Sequence, residues 1–232
     1  MQKMKLISPT REIVANFNSF WTDKPINTIV KLFEEDDEID ISKYIVQFKE
    51  YGEEDKRIVE KKDLKEFLEK INSVYHTRVS GIDGLTKELK RQGINSKESL
   101  AEKINCGEMT LPKFVSCCKA ATGNYTYSFA SKVFSFINAD EYPIIDSFVA
   151  TLLDTYEYDD KITKSKWGDY SKFIENYNSF KKHFGLTSLS FKDVDKFLWT
   201  YAKILLDYWA DLGVLSYEPV SFDSKTISGN AE

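Results

Sequence analysis

Apolar side chains recur along this chain every three or four residues and almost nowhere in strict alternation. Ile13, Val14, Phe17, Phe20 and Trp21 fall on one face of a helix turning once in about 3.6 residues. The same period returns at Ile41, Tyr44, Ile45 and Phe48, at Leu64, Phe67, Leu68, Ile71 and Tyr75, and more weakly at Leu85 and Leu89. Asn95 and Glu98 have the spacing of a capping box ahead of Leu100 and Ile104. Three further helices are marked by Phe114, Val115 and Cys118, by Phe129, Val133 and Ile137, and by Ile145, Phe148, Val149, Leu152 and Leu153. Two long ones follow, through Tyr170, Phe173, Ile174, Tyr177 and Phe184, and through Phe191, Val194, Leu198, Tyr201, Leu205, Tyr208 and Trp209, with Trp199 and Trp209 expected in the core. No run alternates with period two for long enough to demand a strand. The pattern predicts an all-α, compact, two-lobed protein, read as a single helical domain over 1–232.

The chain breakers agree. Among 232 residues there are 10 Gly and 5 Pro, roughly half the usual share, which argues against a turn-rich sandwich or barrel. Pro9, Pro25, Pro112 and Pro143 each precede a helical pattern, while Gly93, Gly107, Gly185 and Gly213 each follow one. The acidic run from Glu34 to Asp40 reads as a solvated loop, and the polar tail after Pro219 as a fraying end.

Charge and cysteine usage narrow the setting. A net charge of −5 carries no global nucleic-acid signature, but it leaves room for a local basic face. Cys106, Cys117 and Cys118 form an odd, clustered set that suits buried thiols in a reducing compartment rather than disulfides. Neither a membrane span nor a secretory leader is visible, so the expectation is a cytoplasmic protein with no membrane partner. The chain lacks GxxxxGK(S/T), GxGxxG, CxxC and HExxH. Its two histidines, His76 and His183, exclude a multi-histidine metal centre; neither metal nor cofactor is expected.

The informative stretch runs from Leu111 to Tyr156. A helix from Pro112 to Ala121 should end at Thr122-Gly123-Asn124, and a second, from about Thr126 to Ile137, should follow at once. After a short turn, Pro143 should open a third helix carrying Asp146 in its first turn. From Thr110 to Asn138 the chain holds Lys113, Lys119 and Lys132 and no carboxylate, which gives the segment a local positive charge.

In this stretch the sequence resembles the helix-hairpin-helix DNA glycosylases, the superfamily of endonuclease-III-type, adenine-mismatch and 8-oxoguanine glycosylases. The resemblance rests on the hairpin, on Ala130 to Ile137 as its second helix, and on Tyr142-Pro143-Ile144-Ile145-Asp146-Ser147-Phe148-Val149. It also touches Asp193-Val194-Asp195-Lys196-Phe197-Leu198-Trp199, which is similar to a closing helix of 8-oxoguanine-glycosylase relatives. The resemblance implies that Asp146 is the catalytic carboxylate, and that Thr122, Gly123, Asn124, Tyr125, Thr126 and Lys132 bind duplex DNA carrying a damaged or modified base. The family's loop has a Gly-x-Gly core. Here Gly123 is followed by Asn124-Tyr125-Thr126, and asparagine can take the left-handed conformation only at some cost. Thr126, Tyr127 and Ser128 stand where bifunctional relatives place a Schiff-base lysine, so the implied enzyme is monofunctional, uses water, and acts as a monomer without a metal cluster.

The chemistry is coherent. Breaking an N-glycosidic bond builds positive charge on the deoxyribose, which an ionised carboxylate can stabilise while it activates water. Exposed backbone N–H groups of a hairpin can hold a phosphate, and enzymes that act on a base in a duplex extrude it, often onto aromatic rings. Tyr125, Tyr127, Phe129, Trp167 and Tyr170 are the aromatic candidates. A second reading is a non-catalytic helical module that keeps the hairpin for nucleic-acid or protein binding.

Overall fold

The computed structural model describes residues 6–22, 42–162 and 170–211, and every regular element among them is helical. In chain order the α-helices are α1 (Arg11–Asn18), α2 (Ser42–Glu60), α3 (Leu64–Val74), α4 (Ile82–Arg91), α5 (Lys97–Asn105), α6 (Leu111–Thr122), α7 (Tyr127–Ile137), α8 (Ser147–Thr155), α9 (Tyr170–His183) and α10 (Phe191–Asp211). A single 3-10 turn, Ser19–Trp21, continues α1. The expectations on Pro25, Ile41, the acidic run, Trp167, the side chains of Tyr208 and Trp209, Gly213 and the tail lie outside the described residues. No helix among the described residues is long and apolar enough to cross a membrane.

The chain divides into two compact units, residues 1–49 with 146–232, and residues 50–145. It passes between them within α2 and again between Ile145 and Asp146.

In the unit of residues 50–145, capping side chains set where the helices begin. Asp63 accepts from the Glu66 amide at α3, and Thr110 from the Lys113 amide at α6. The capping box of α5 lies one residue later than the sequence pattern suggests. Ser96 caps the Ser99 amide, and Ser99 Oγ accepts from both the Ser96 and Asn95 amides at 3.0 and 2.9 Å. A serine hydroxyl can donate and accept within one turn, so Ser99 does what Glu98 was expected to do. α3 packs on α4 and α7, and α6 on α4 and α7. Phe67, Leu68, Ile71, Leu85, Leu89, Phe114, Val133 and Phe134 are wholly buried among them. α4 meets α6 closely enough that a Cβ on Gly84 would lie 3.3 Å from the Ala121 carbonyl oxygen. Burying each such Leu, Ile or Phe contributes about 1.5–3 kcal/mol. Cys117 and Cys118 are buried as expected, but Cys106, at the end of α5, is exposed.

The other unit is centred on α10, against which α1 and α8 pack. Phe17 meets Phe197 and Tyr201 edge-on, with ring centroids 5.1 and 5.6 Å apart. Several polar atoms in this core are paired. Trp21 Nε1 donates to Thr200 Oγ1 (3.0 Å), and Tyr156 and Tyr201 hydroxyls pin the Ile7 backbone, one donating to its carbonyl and the other accepting from its amide. Tyr177 donates to the buried Asp195 carboxylate at 2.8 Å, and burial, then that charge, push its phenol well above the ordinary tyrosine range. Trp199 is half-buried rather than core, with its ring against Trp21, Phe48 and Phe148. His183 ends α9, where its Nδ1 lies 3.1 Å from Asp159 Oδ2.

Candidate functional site

The connection between α6 and α7 gathers five of the residues expected to bind DNA: Thr122, Gly123, Asn124, Tyr125 and Thr126. α6 closes on Gly123 at φ +79°, whose amide donates to the Lys119 carbonyl at 2.8 Å. Only glycine takes this φ at no steric cost. Thr122 Oγ1 donates back to the Cys118 carbonyl and accepts from the Asn124 amide at 3.3 Å. Asn124 does not adopt the left-handed conformation open to asparagine; one αL residue, Gly123, turns the chain.

α7 begins without a side-chain cap. Thr126, the residue placed to provide one, turns its hydroxyl inward beside the Cys118 thiol. No intramolecular partner holds the Tyr125 or Thr126 amide among the described residues. An uncapped helix start leaves amides and the positive end of the helix dipole facing out. Lys119 adds charge at the same place, its ammonium 4.1 Å from the centre of the Tyr125 ring and in contact with the Tyr125 hydroxyl. Lys113 is also exposed.

Lys132 stands apart from this loop. It is only 3% exposed, and its ammonium donates to Ser128 Oγ at 2.8 Å within α7. A position more than one turn into an apolar helix faces the core, so Lys132 offers no surface contact to a phosphate. The positive charge of this segment is carried by Lys113 and Lys119.

The helix expected from Pro143 starts four residues later. Pro143, Ile144 and Ile145 are buried and not helical, and α8 begins at Ser147 with Asp146 as its N-cap at φ −134°, ψ 144°. Asp146 Oδ1 accepts from the Phe148 amide at 2.9 Å. An N-cap residue needs extended dihedrals and a short acceptor, and Asp146 meets both, whereas Pro143 would have started the helix before any capping acceptor. Asp146 is half-buried. Along α8, Phe148 lies edge-on to Trp199, and the Lys203 ammonium sits 5.8 Å from the centre of the Phe148 ring.

Sequence reasoning missed Ser131. This fully buried α7 residue accepts from the Ile145 amide at 2.9 Å and donates to the Ser128 carbonyl, which ties the segment ahead of Asp146 to α7. Its small polar side chain inside the run Phe129 to Phe134 was the available signal. Of the aromatic candidates, Phe129 and Tyr170 are buried, while Tyr125 and Tyr127 are half-buried. Among the described residues, no three His, Cys, Asp or Glu side chains gather where a metal ion could be held.

No family model matches the chain, and no solved structure matches it. It is similar, with 28% identity over 134 residues, to an uncharacterised protein of Haemophilus influenzae. The matched stretch covers 57% of this chain and 62% of that protein, so the chain spans less than two thirds of its relative's length.

Proposed function

We propose that the chain is a monofunctional DNA glycosylase of the helix-hairpin-helix superfamily, acting in base excision on duplex DNA that carries a damaged or modified base. The observation that carries this reading is the chain order of two elements. The α6–α7 connection, with open amides at Tyr125 and Thr126 and the Lys119 ammonium in a stretch free of carboxylates, is followed by a capping carboxylate, Asp146, held at the start of α8.

In this reading the connection takes a DNA phosphate on the Tyr125 and Thr126 amides and the positive end of α7. The base is flipped from the stack. Asp146 faces the deoxyribose as an anion, stabilises the charge that develops as the glycosidic bond lengthens, and orients the water that attacks the sugar carbon. No Schiff-base amine takes part in this reading: Thr126, Tyr127 and Ser128 stand where bifunctional relatives place one, and Lys132 is buried and bonded to Ser128. The protein acts as a monomer, and its buried free thiols Cys117 and Cys118 suit the reducing cytoplasm.

The test incubates the purified protein with oligonucleotides bearing a panel of lesions and modified bases, then cleaves abasic sites with alkali. Strand breaks that vanish with Asp146→Asn are expected. If no substrate yields such breaks, the catalytic reading falls. One observation favours a second reading, a non-catalytic binding module: the net charge of −5. Salt-dependent duplex binding with no base release by any substrate would select it.

A further inference from the structure

Within the unit of residues 50–145, the chain turns from α3 to α4 through residues 75–81, and two residues there hold an uncommon backbone. His76 (φ +47°) and Arg78 (φ +55°) are left-handed without being glycine. Asn72, in the last turn of α3, fixes the loop in this form. Its Nδ2 donates to the Val79 carbonyl (2.9 Å), and its Oδ1 accepts from the Val79 amide (2.9 Å) and from Thr77 Oγ1 (2.7 Å). Asn72, Ser73, His76 and Arg78 together line an open concavity of about 500 Å³.

The charge of this concavity is unanswered. From Lys70 to Ile82 there is no carboxylate. The flanking cations are engaged, Lys70 with Glu54 and Lys65 with Asp83. Arg78, His76 and Ser73 are exposed, and none of their side chains has an intramolecular hydrogen bond or ion pair among the described residues. A guanidinium fork, an imidazole and a hydroxyl around one hollow are the donor set of a phosphate site. Residues held in uncommon backbone conformations cluster at ligand sites, and these two sit on an exposed, cationic loop.

The loop also has a neighbour. It ends at Gly81, where a Cβ would lie 3.4 Å from the Ala121 carbonyl and 3.6 Å from Thr122 Cγ2, so its end abuts the α6–α7 connection. Arg78 precedes Gly81 by three residues, at most about 10 Å of chain. We propose that the concavity of Ser73, His76 and Arg78, braced by Asn72, binds a phosphate of the nucleic-acid backbone next to the phosphate held at the α6–α7 connection. The choice of nucleic acid over free phosphate rests on the proposed function; the phosphate chemistry does not.

Two measurements on the full chain test it. The first is binding to an unmodified duplex oligonucleotide over a series of salt concentrations. Removing one phosphate contact with Arg78→Ala should weaken binding and lower the slope of log K against log salt by about one, and Arg78→Lys should fall between wild type and Ala. The second is a ¹H–¹⁵N titration with inorganic phosphate, which should move the Val79 amide and Arg78 Nε–H signals, with the Arg78→Ala variant silent. Phosphate-induced shifts with an unchanged duplex slope would identify a free phosphate compound as the ligand and overturn the nucleic-acid contact. Equal slopes and no shifts would overturn the site altogether. Base release assayed on the same preparation keeps the outcomes separate: its loss with the Arg78 effect intact removes the glycosylase reading and leaves this one standing.

Discussion

Replacing Arg78 by glycine should make the protein more stable while weakening its hold on phosphate. A left-handed conformation costs a residue with a Cβ about 1–2 kcal/mol, a cost glycine escapes. Glycine in turn loses about 0.5–1 kcal/mol more chain entropy on folding. Arg78 is exposed and its guanidinium has no intramolecular partner among the described residues, so its removal takes away no hydrogen bond or ion pair. The difference leaves Arg78→Gly more stable by about 0.5–1 kcal/mol, whereas Arg78→Ala, which keeps a Cβ at φ +55°, should stay close to wild type. With a urea m-value of about 2 kcal/mol/M, the glycine variant's midpoint should rise by about 0.2–0.5 M. The choice of signal matters. All 4 Trp lie in the unit of residues 1–49 and 146–232, so far-UV circular dichroism, not Trp emission, must follow the unit that holds Arg78. Both variants should lose the same duplex affinity. If the Gly and Ala variants unfold at the same urea concentration, the backbone at Arg78 holds no strain, and the argument that it is kept for a ligand fails.

Three further outcomes are expected. Asp146→Ala removes the α8 cap and should cost about 1 kcal/mol, while Asp146→Asn keeps a capping acceptor and should cost only a few tenths; paired urea curves and base-release assays then separate capping from catalysis. Ser131→Ala leaves the buried Ile145 amide without its acceptor, and urea titration should show a loss of about 1–3 kcal/mol. Among the thiols, Cys106 should react promptly with a disulfide reagent at pH 8, and Cys117 and Cys118 only on unfolding. Burial pushes the Cys118 thiol from 9.0 up to about 12. The folded chain therefore keeps a proton that the unfolded chain releases. That contribution is complete below the unfolded value and is lost as pH rises through this interval, so unfolding midpoints should fall above pH 9 and fall less steeply in Cys118→Ala.

Helix existence was legible because burying one face of a helix writes itself as a local period. The stripes at Phe67, Leu68 and Ile71, at Phe114, Val115 and Cys118, and at Val149, Leu152 and Leu153 are buried as their spacing implies. Helix starts were less legible, because which of several adjacent polar side chains caps is settled by dihedrals. Ser96 displaced Asn95 as a cap, and Asp146 begins α8 where Pro143 was expected to. The end of α6 at Gly123 was legible, whereas the uncommon backbone of His76 and Arg78 lies in a loop that no motif singled out.

By itself, then, the sequence determined what depends on neighbours within a turn or two: an all-helical chain, its punctuation, and a cationic stretch without carboxylates ahead of Asp146. Tertiary structure alone decided which polar groups are available. Lys132 and Ser131 lie on α7 inside the unit, so one ammonium is removed from solvent and one hydroxyl ties down Ile145. Asn72 reaches across to Val79 and holds a strained loop whose cation is left unanswered. Burial and side-chain pairing join residues from separate helices, and a one-dimensional period carries no record of those meetings.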